Sequence, residues 1–93
     1  MIKSFTSKSL KALFEAGTSK GLNQNHVEKI KRILARLNAT KELRDMNYPG
    51  SNLHILKANP YRGYYSVNVN GNYRVVFRFD NGDVFDVDYL DTH

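Results

Sequence analysis

The chain contains no cysteine. That removes disulfides, thiolate metal sites and cysteine nucleophiles from consideration, and it fits a reducing compartment without requiring one. The opening stretch, MIKSFTSKSLKALFEAG, offers no apolar run long enough for a signal peptide or a membrane span. The expectation is a soluble, cytoplasmic protein. No internal repeat, low-complexity tract or linker is visible, and 93 residues read as one domain, 1–93, with a modest core. No P-loop, dinucleotide fingerprint or Ser-His-Asp triad can be found.

What is present is positive charge. Fourteen Lys and Arg against nine Asp and Glu leave a net charge of +5. That balance suits a polyanionic partner such as RNA or DNA, and it equally suits a small protein that stays soluble through charge.

The chain divides by period. Leu10, Leu13 and Phe14 fall at i, i+3, i+4, with Thr6 or Ser7 as N-cap and Gly17 near the stop, which predicts a helix. After the loop TSKGLNQ, Asn25-His26-Val27-Glu28 reads as a capping box opening a second helix. Val27, Ile30, Ile33, Leu34 and Leu37 form its apolar stripe. Lys29, Lys31, Arg32 and Arg36 lie off that stripe, on a face that is solvated or meets RNA or an acidic partner. His26, at the helix start, reads as structural.

From Leu53 the period becomes two. Leu53–Lys57 can form a short strand. Tyr65, Val67 and Val69 alternate, as do Tyr73, Val75, Phe77 and Phe79, and then Phe85, Val87 and Tyr89. Turn residues at NGN and DNG make this an antiparallel meander. A three-residue loop Asp80-Asn81-Gly82 would place Phe77 opposite Phe85, Val75 opposite Val87 and Tyr73 opposite Tyr89, uniting the large apolar side chains on one face. Arg74 would then face Asp88, and Val76 would face Asp86. The expected fold class is α+β: two N-terminal helices packed on one face of a small antiparallel sheet.

Candidate chemistry lies toward the last strand. Alternation sets Asp91 and His93 on one side of an extended chain, their Cα atoms about 7 Å apart. A carboxylate there would orient the imidazole and favour its protonated form, which suits general acid–base work. A solvent-exposed tail without a role fits the same spacing. A metal site from Asp91, His93 and His54 lacks a convincing fourth ligand, and no cofactor is expected. Lys57, Arg62, Arg74 and Arg78 are the phosphate-binding candidates. Arg74 and Arg78 sit mid-strand, where Asp88 and Asp86, or a bound phosphate, would have to satisfy them. Tyr65, Tyr73 and Tyr89 belong to the core; Tyr61 and Tyr64, beside Pro60 and Gly63, are freer to stack on bases.

Together, MIKSF, LFEAG, LHILKANPYRGYYSVNVNGNYRVVFRF and NGDVFDVDYLDTH resemble the HigB branch of the RelE/ParE toxin superfamily over nearly the whole chain. The resemblance implies the same helices-on-a-sheet fold and a ribosome-dependent mRNA endonuclease acting in the ribosomal A site. It further implies a helix-turn-helix HigA antitoxin as partner, with operator DNA reached only through the antitoxin complex. Carried over residue by residue, His54 and Lys57 match the family's L-H-P-L-K-G segment, Arg74 its N-W-R motif (with Tyr73 as the aromatic), and Asp91 and His93 the first and last residues of its D-Y-H. Thr92 stands where that motif has Tyr, Ala58 where the segment has Gly, and Ile55 where it has Pro. The implied chemistry is metal-free attack of a ribose 2′-OH on the adjacent phosphate, with His93 and Asp91 as the proton-transfer unit, His54 as second player, and Lys57 and Arg74 stabilising charge. Two rivals remain: a non-cutting gyrase inhibitor of the ParE type, which lacks L-H-x-L-K and the closing D-x-H, and a toxin inactivated at Thr92 that still binds the ribosome or antitoxin.

Overall fold

The computed structural model describes residues 1–92. Helices α1 (Lys8–Ala16) and α2 (Val27–Ala39) precede four strands, β1 (His54–Ile55), β2 (Tyr65–Asn70), β3 (Tyr73–Asp80) and β4 (Asp83–Asp91). The strands form one antiparallel meander in chain order. The α+β architecture expected from the change of period is the one found.

Helix α1 starts where the Ser7 side chain accepts from Leu10 N at 3.1 Å, and it stops on Gly17 at φ 73°. Leu10 and Leu13 are buried, but Phe14 is 37% exposed and meets Phe5 with ring centroids 5.6 Å apart. Before α2 comes a 3₁₀ turn, Gln24–His26, capped by the Asn23 side chain. The expected Asn25 capping box does not form, because Asn25 lies inside that turn and His26 takes the N-cap position without a capping side-chain bond to the helix. The five-residue stripe of α2 is buried as expected. With Leu10, Leu13 and Met46 it packs on Val67, Val75, Phe77, Val84 and Val87 of the sheet.

The β3–β4 connection differs from expectation. Asp80 pairs with Asp83, so the turn has two residues, Asn81 (φ 48°) and Gly82 (φ 85°). Both positive angles are those of a type I′ turn, the form Asn-Gly favours. Phe79 then faces Val84, and Arg78 faces Phe85. Between Val76 and Arg78 a bulge adds one residue to β4, at Asp86 with φ 53°. Beyond it Val75 faces Tyr89 and Arg74 faces Leu90, while Val76 faces Asp88. The bulge restores the parity that the short turn had flipped. Val87 and Tyr89 return to the helix side, whereas Phe85 is left on the opposite face and Val84 takes its place in the core.

The first residues hold this bulge. They run beside β4 with parallel bridges Ile2–Val84 and Phe5–Val87. Lys3 N donates to Val84 O (2.7 Å) and Val87 N to Ser4 O (3.2 Å). Ser4 Oγ accepts from Asp86 N at 2.9 Å and donates to Asp86 Oδ1 at 3.2 Å. The outer edge of β4 is thereby covered rather than left open to pairing.

Candidate active site

The site is built by a loop that crosses the sheet. β1 is an edge strand of two residues, and the chain leaves it at Leu56 and returns at Tyr64, closed by Leu56 N to Tyr64 O (2.8 Å) and Gly63 N to Leu56 O (2.9 Å). In between, the loop lies over the face that the helices leave uncovered. Ser66 and Val76, registered neighbours on that face, are buried there outside the main core cluster. At the far end of this excursion the Tyr61 hydroxyl donates to Asp88 Oδ2 of β4 at 2.7 Å. His54, Ser66, Val76 and Asp88 form one row across the four strands, so the loop spans roughly 14 Å, three strand spacings, to reach β4. Tyr61 is therefore not free, as its place beside Pro60 and Gly63 suggested. The Asp88 hydrogen bond, then burial, push its phenol up to about 12.

Where this loop meets the end of β4, a groove of about 430 Å³ opens between Leu56–Tyr61 and Leu90–Thr92. Lys57 and Asp91, 34 positions apart in sequence, both line it. Its size suits a small ligand or one nucleotide. Thr92 fastens the strand end: its N–H and its hydroxyl both donate to Asn72 O, at 2.9 and 2.8 Å. On the helix side, Tyr73 pairs with Asp91 in the ladder and stacks on Tyr89 at 5.4 Å. The Tyr89 hydroxyl lies 2.8 Å from Nδ1 of His26, whose ring meets the edge of Tyr73 and is only 5% exposed. His26 is thus structural, as expected, and it ties α2 to the strand that bears Asp91. Burial first, then Tyr73 and Asp91, push the Tyr89 phenol upward.

The remaining candidates are dispersed. His93 lies outside the described residues. His54 is exposed on the loop-covered face, donates from Nδ1 to Asn52 O at 2.8 Å, and stands outside the groove lining. Arg74 does not pair with Asp88; it faces Leu90 across the ladder, and its guanidinium donates to Gly71 O (2.6 Å) and Tyr73 O (2.9 Å). That leaves it beside the groove, bound to the β2–β3 turn. Arg78 is taken up by Asp86 at 2.8 Å, four residues and about 13 Å along β3 from Arg74. Arg62 is exposed and does not line the groove. Among the described residues no group of three or more His, Cys, Asp or Glu side chains is placed to hold a metal ion. Sequence reasoning missed Asp88 as the loop's anchor, Asn72 as the terminal strand's clamp and Ser4 as the keeper of the bulge. Each acts across the fold, and nothing local marks it.

A second depression, about 450 Å³, lies by the C-terminal end of α2 and is lined by Arg36, Thr40, Arg44, Asp45 and Tyr48. Its charged groups are already engaged. Arg36 sits 4.6 Å over the Tyr48 ring and Arg44 pairs with Glu42 at 2.7 Å. The Asp45 carboxyl accepts the N–H groups of Glu42 and Lys41, which hold it below its usual range. The groove at the end of β4 is the better candidate for proton transfer.

Comparison with known proteins shows the family and the fold. Residues 3–93 match a family described as the RelE-like toxin of type II toxin-antitoxin system HigB. The chain is 39% identical over 93 residues to the Endoribonuclease HigB of Proteus vulgaris, with all of both chains covered. Its fold is similar to that of YafQ from E. coli strain BL21(DE3), with a TM-score of 0.55 at 13% identity, covering 98% of this chain and 91% of that one.

Proposed function

The chain belongs to the family of RelE-like HigB toxins of type II toxin-antitoxin systems, and we propose that it is an endoribonuclease that cuts mRNA on the ribosome. The observation that carries this reading is the groove in which the β1–β2 loop delivers Lys57 to the strand end bearing Asp91. RNA carries its own nucleophile, so a base, an acid and a cation suffice for cleavage. The base takes the proton of the 2′-OH, and the freed oxygen attacks the adjacent phosphorus. The 5′ oxygen leaves with a proton from the acid, giving a 2′,3′-cyclic phosphate and a 5′-OH end.

In this scheme His93 is one proton-transfer group, oriented by Asp91. His54, three residues before Lys57 and on the loop-covered face, is the candidate for the other. Lys57 stabilises the charge that builds on the phosphate oxygens, assisted by Arg74 once substrate competes for its guanidinium. The ribosome holds the mRNA in place, so the isolated protein cuts free RNA poorly. A helix-turn-helix HigA antitoxin neutralises it in the cytoplasm and carries it to operator DNA. Thr92, where the family motif has tyrosine, bonds the strand end to Asn72 O through its N–H and its hydroxyl.

Inducible expression in bacteria tests this, with growth followed and transcript 5′ ends mapped for wild type, His93→Ala, Lys57→Ala and His54→Ala. The expected result is growth arrest with new cuts inside translated codons, abolished in the first two variants. Arrest without cuts but with DNA damage would instead establish the gyrase-inhibitor reading. If His93→Ala cuts like wild type, the proton-transfer assignment fails.

A further inference from the structure

We infer that the Tyr61–Asp88 hydrogen bond is a latch that sets the width of the cleavage groove and holds Lys57 at working distance from the terminal strand, so that Tyr61 and Asp88 are positioning residues for cleavage; this rests on the groove being the active site. The two walls of the groove come from opposite edges of the sheet. Lys57 belongs to the loop that leaves β1, and Asp91 ends β4, with β2 and β3 between them. Strand pairing fixes the spacing of the four strands but not the lie of the loop that carries Lys57, because that loop is outside every ladder. The Tyr61 hydroxyl, at 2.7 Å from Asp88 Oδ2, spans that gap.

Both ends of the bond are themselves held. On the strand side, Asp88 Oδ1 accepts the Tyr89 N–H at 2.9 Å, which locks the carboxylate orientation, and Val76 beside it in the row is fully buried. On the loop side, the Tyr61 carbonyl accepts from Tyr64 N at 2.9 Å, and its ring meets Tyr64 edge-on at 5.2 Å. A hydrogen bond to a carboxylate between two fixed partners resists displacement more than a neutral one does. Tyr61 also lines the groove, so a shift of the latch moves the wall itself. Displacements of about 1 Å in a reacting group can cost on the order of a hundredfold in rate.

The test is single-turnover cleavage of a defined mRNA on programmed ribosomes by the full chain, with thermal melting of each variant. Tyr61→Phe removes the hydroxyl and keeps the ring. It is expected to lower the cleavage rate roughly ten- to a hundredfold, leaving half-saturation near wild type and the fold intact, with the melting temperature lowered only slightly. Asp88→Ala should lose a similar factor, and the Tyr61→Phe/Asp88→Ala pair should lose no more than the worse single variant. Asp88→Asn, whose amide oxygen still accepts from the phenol, should recover most of the rate. The latch is overturned if Tyr61→Phe cuts at the wild-type rate, or if the two losses multiply in the pair, while Lys57→Ala remains inactive. A fully active Lys57→Ala would instead overturn the assignment of the groove, and the latch with it.

Discussion

The two faces of the sheet are covered by different means. The helix-side face is closed by apolar packing: Val67, Val75, Phe77, Val84 and Val87 meet the buried stripes of α1 and α2. The other face is closed by a loop and by polar bonds, Tyr61 to Asp88 and Arg78 to Asp86. Apolar burial is strong but non-directional, so it supplies stability and tolerates small shifts. Hydrogen bonds contribute less net stability but fix distances and angles. The division teaches where this molecule keeps its stability and where it keeps its geometry, and it predicts that the two can be damaged separately.

The sharpest way to break the comparison is to cut into each face. Phe77→Ala empties the largest fully buried side chain on the helix side and should cost about 3–5 kcal/mol in urea unfolding. A loss below 1 kcal/mol would mean that the core is not what closes this face. Lys57→Ala, at an exposed groove position, should lower cleavage by roughly a hundredfold or more with stability unchanged to within about 0.5 kcal/mol. If it instead unfolds the protein as Phe77→Ala does, the separation of roles is wrong.

Ser4→Ala strikes the seam between the faces. It strips Asp86 N and Asp86 Oδ1 of their shared partner at the bulge and should cost about 1–2 kcal/mol by the same unfolding measurement. The effect should be absent in a variant whose bulge has been deleted. The smallest effect is on the alkaline limb. The folded-state phenol of Tyr61 is raised to about 12 by its bond to Asp88, against about 10 in an unfolded chain. Its contribution to stability is therefore complete below pH 10 and is lost as pH climbs toward 12. Wild type should lose its advantage over Tyr61→Phe across that window, and a constant difference through it would mean the bond does not govern the phenol.

Legibility in the sequence followed the range of the interactions. The stripes of α1 and α2 were readable because a helix repeats every few residues, and the structure buries Leu10, Leu13, Ile30, Ile33, Leu34 and Leu37 accordingly. The meander was readable from alternation and turn residues. The register of β3 on β4 was not, because the alternation of apolar residues favours a three-residue loop. The Asn81-Gly82 turn prevailed, and a bulge at Asp86 repaired the parity eight residues before the end of the chain, counting Asp86 itself. That bulge is braced by Ser4, 82 positions away, and no local pattern carries such a partner.

The candidate site divides the same way. Charge, the L-H-x-L-K segment and the closing D-x-H, together with the family resemblance, named Lys57 and Asp91 before any geometry. Residue types and spacing were enough for that, since chemistry is carried by side-chain identity. Which of the named groups meet was decided only by the folded chain. A loop had to cross the sheet for Lys57 and Asp91 to line one groove, Asp86 had to pair with Arg78, and the β2–β3 turn had to hold Arg74 beside the groove rather than in it. The sequence by itself determined the elements, the covered face and the chemical vocabulary, because those depend on neighbours a few residues apart. Only tertiary structure decided the groove, because its walls come from the two outer strands of the sheet, and their separation is set by a single long excursion of the chain and the bonds that pin it.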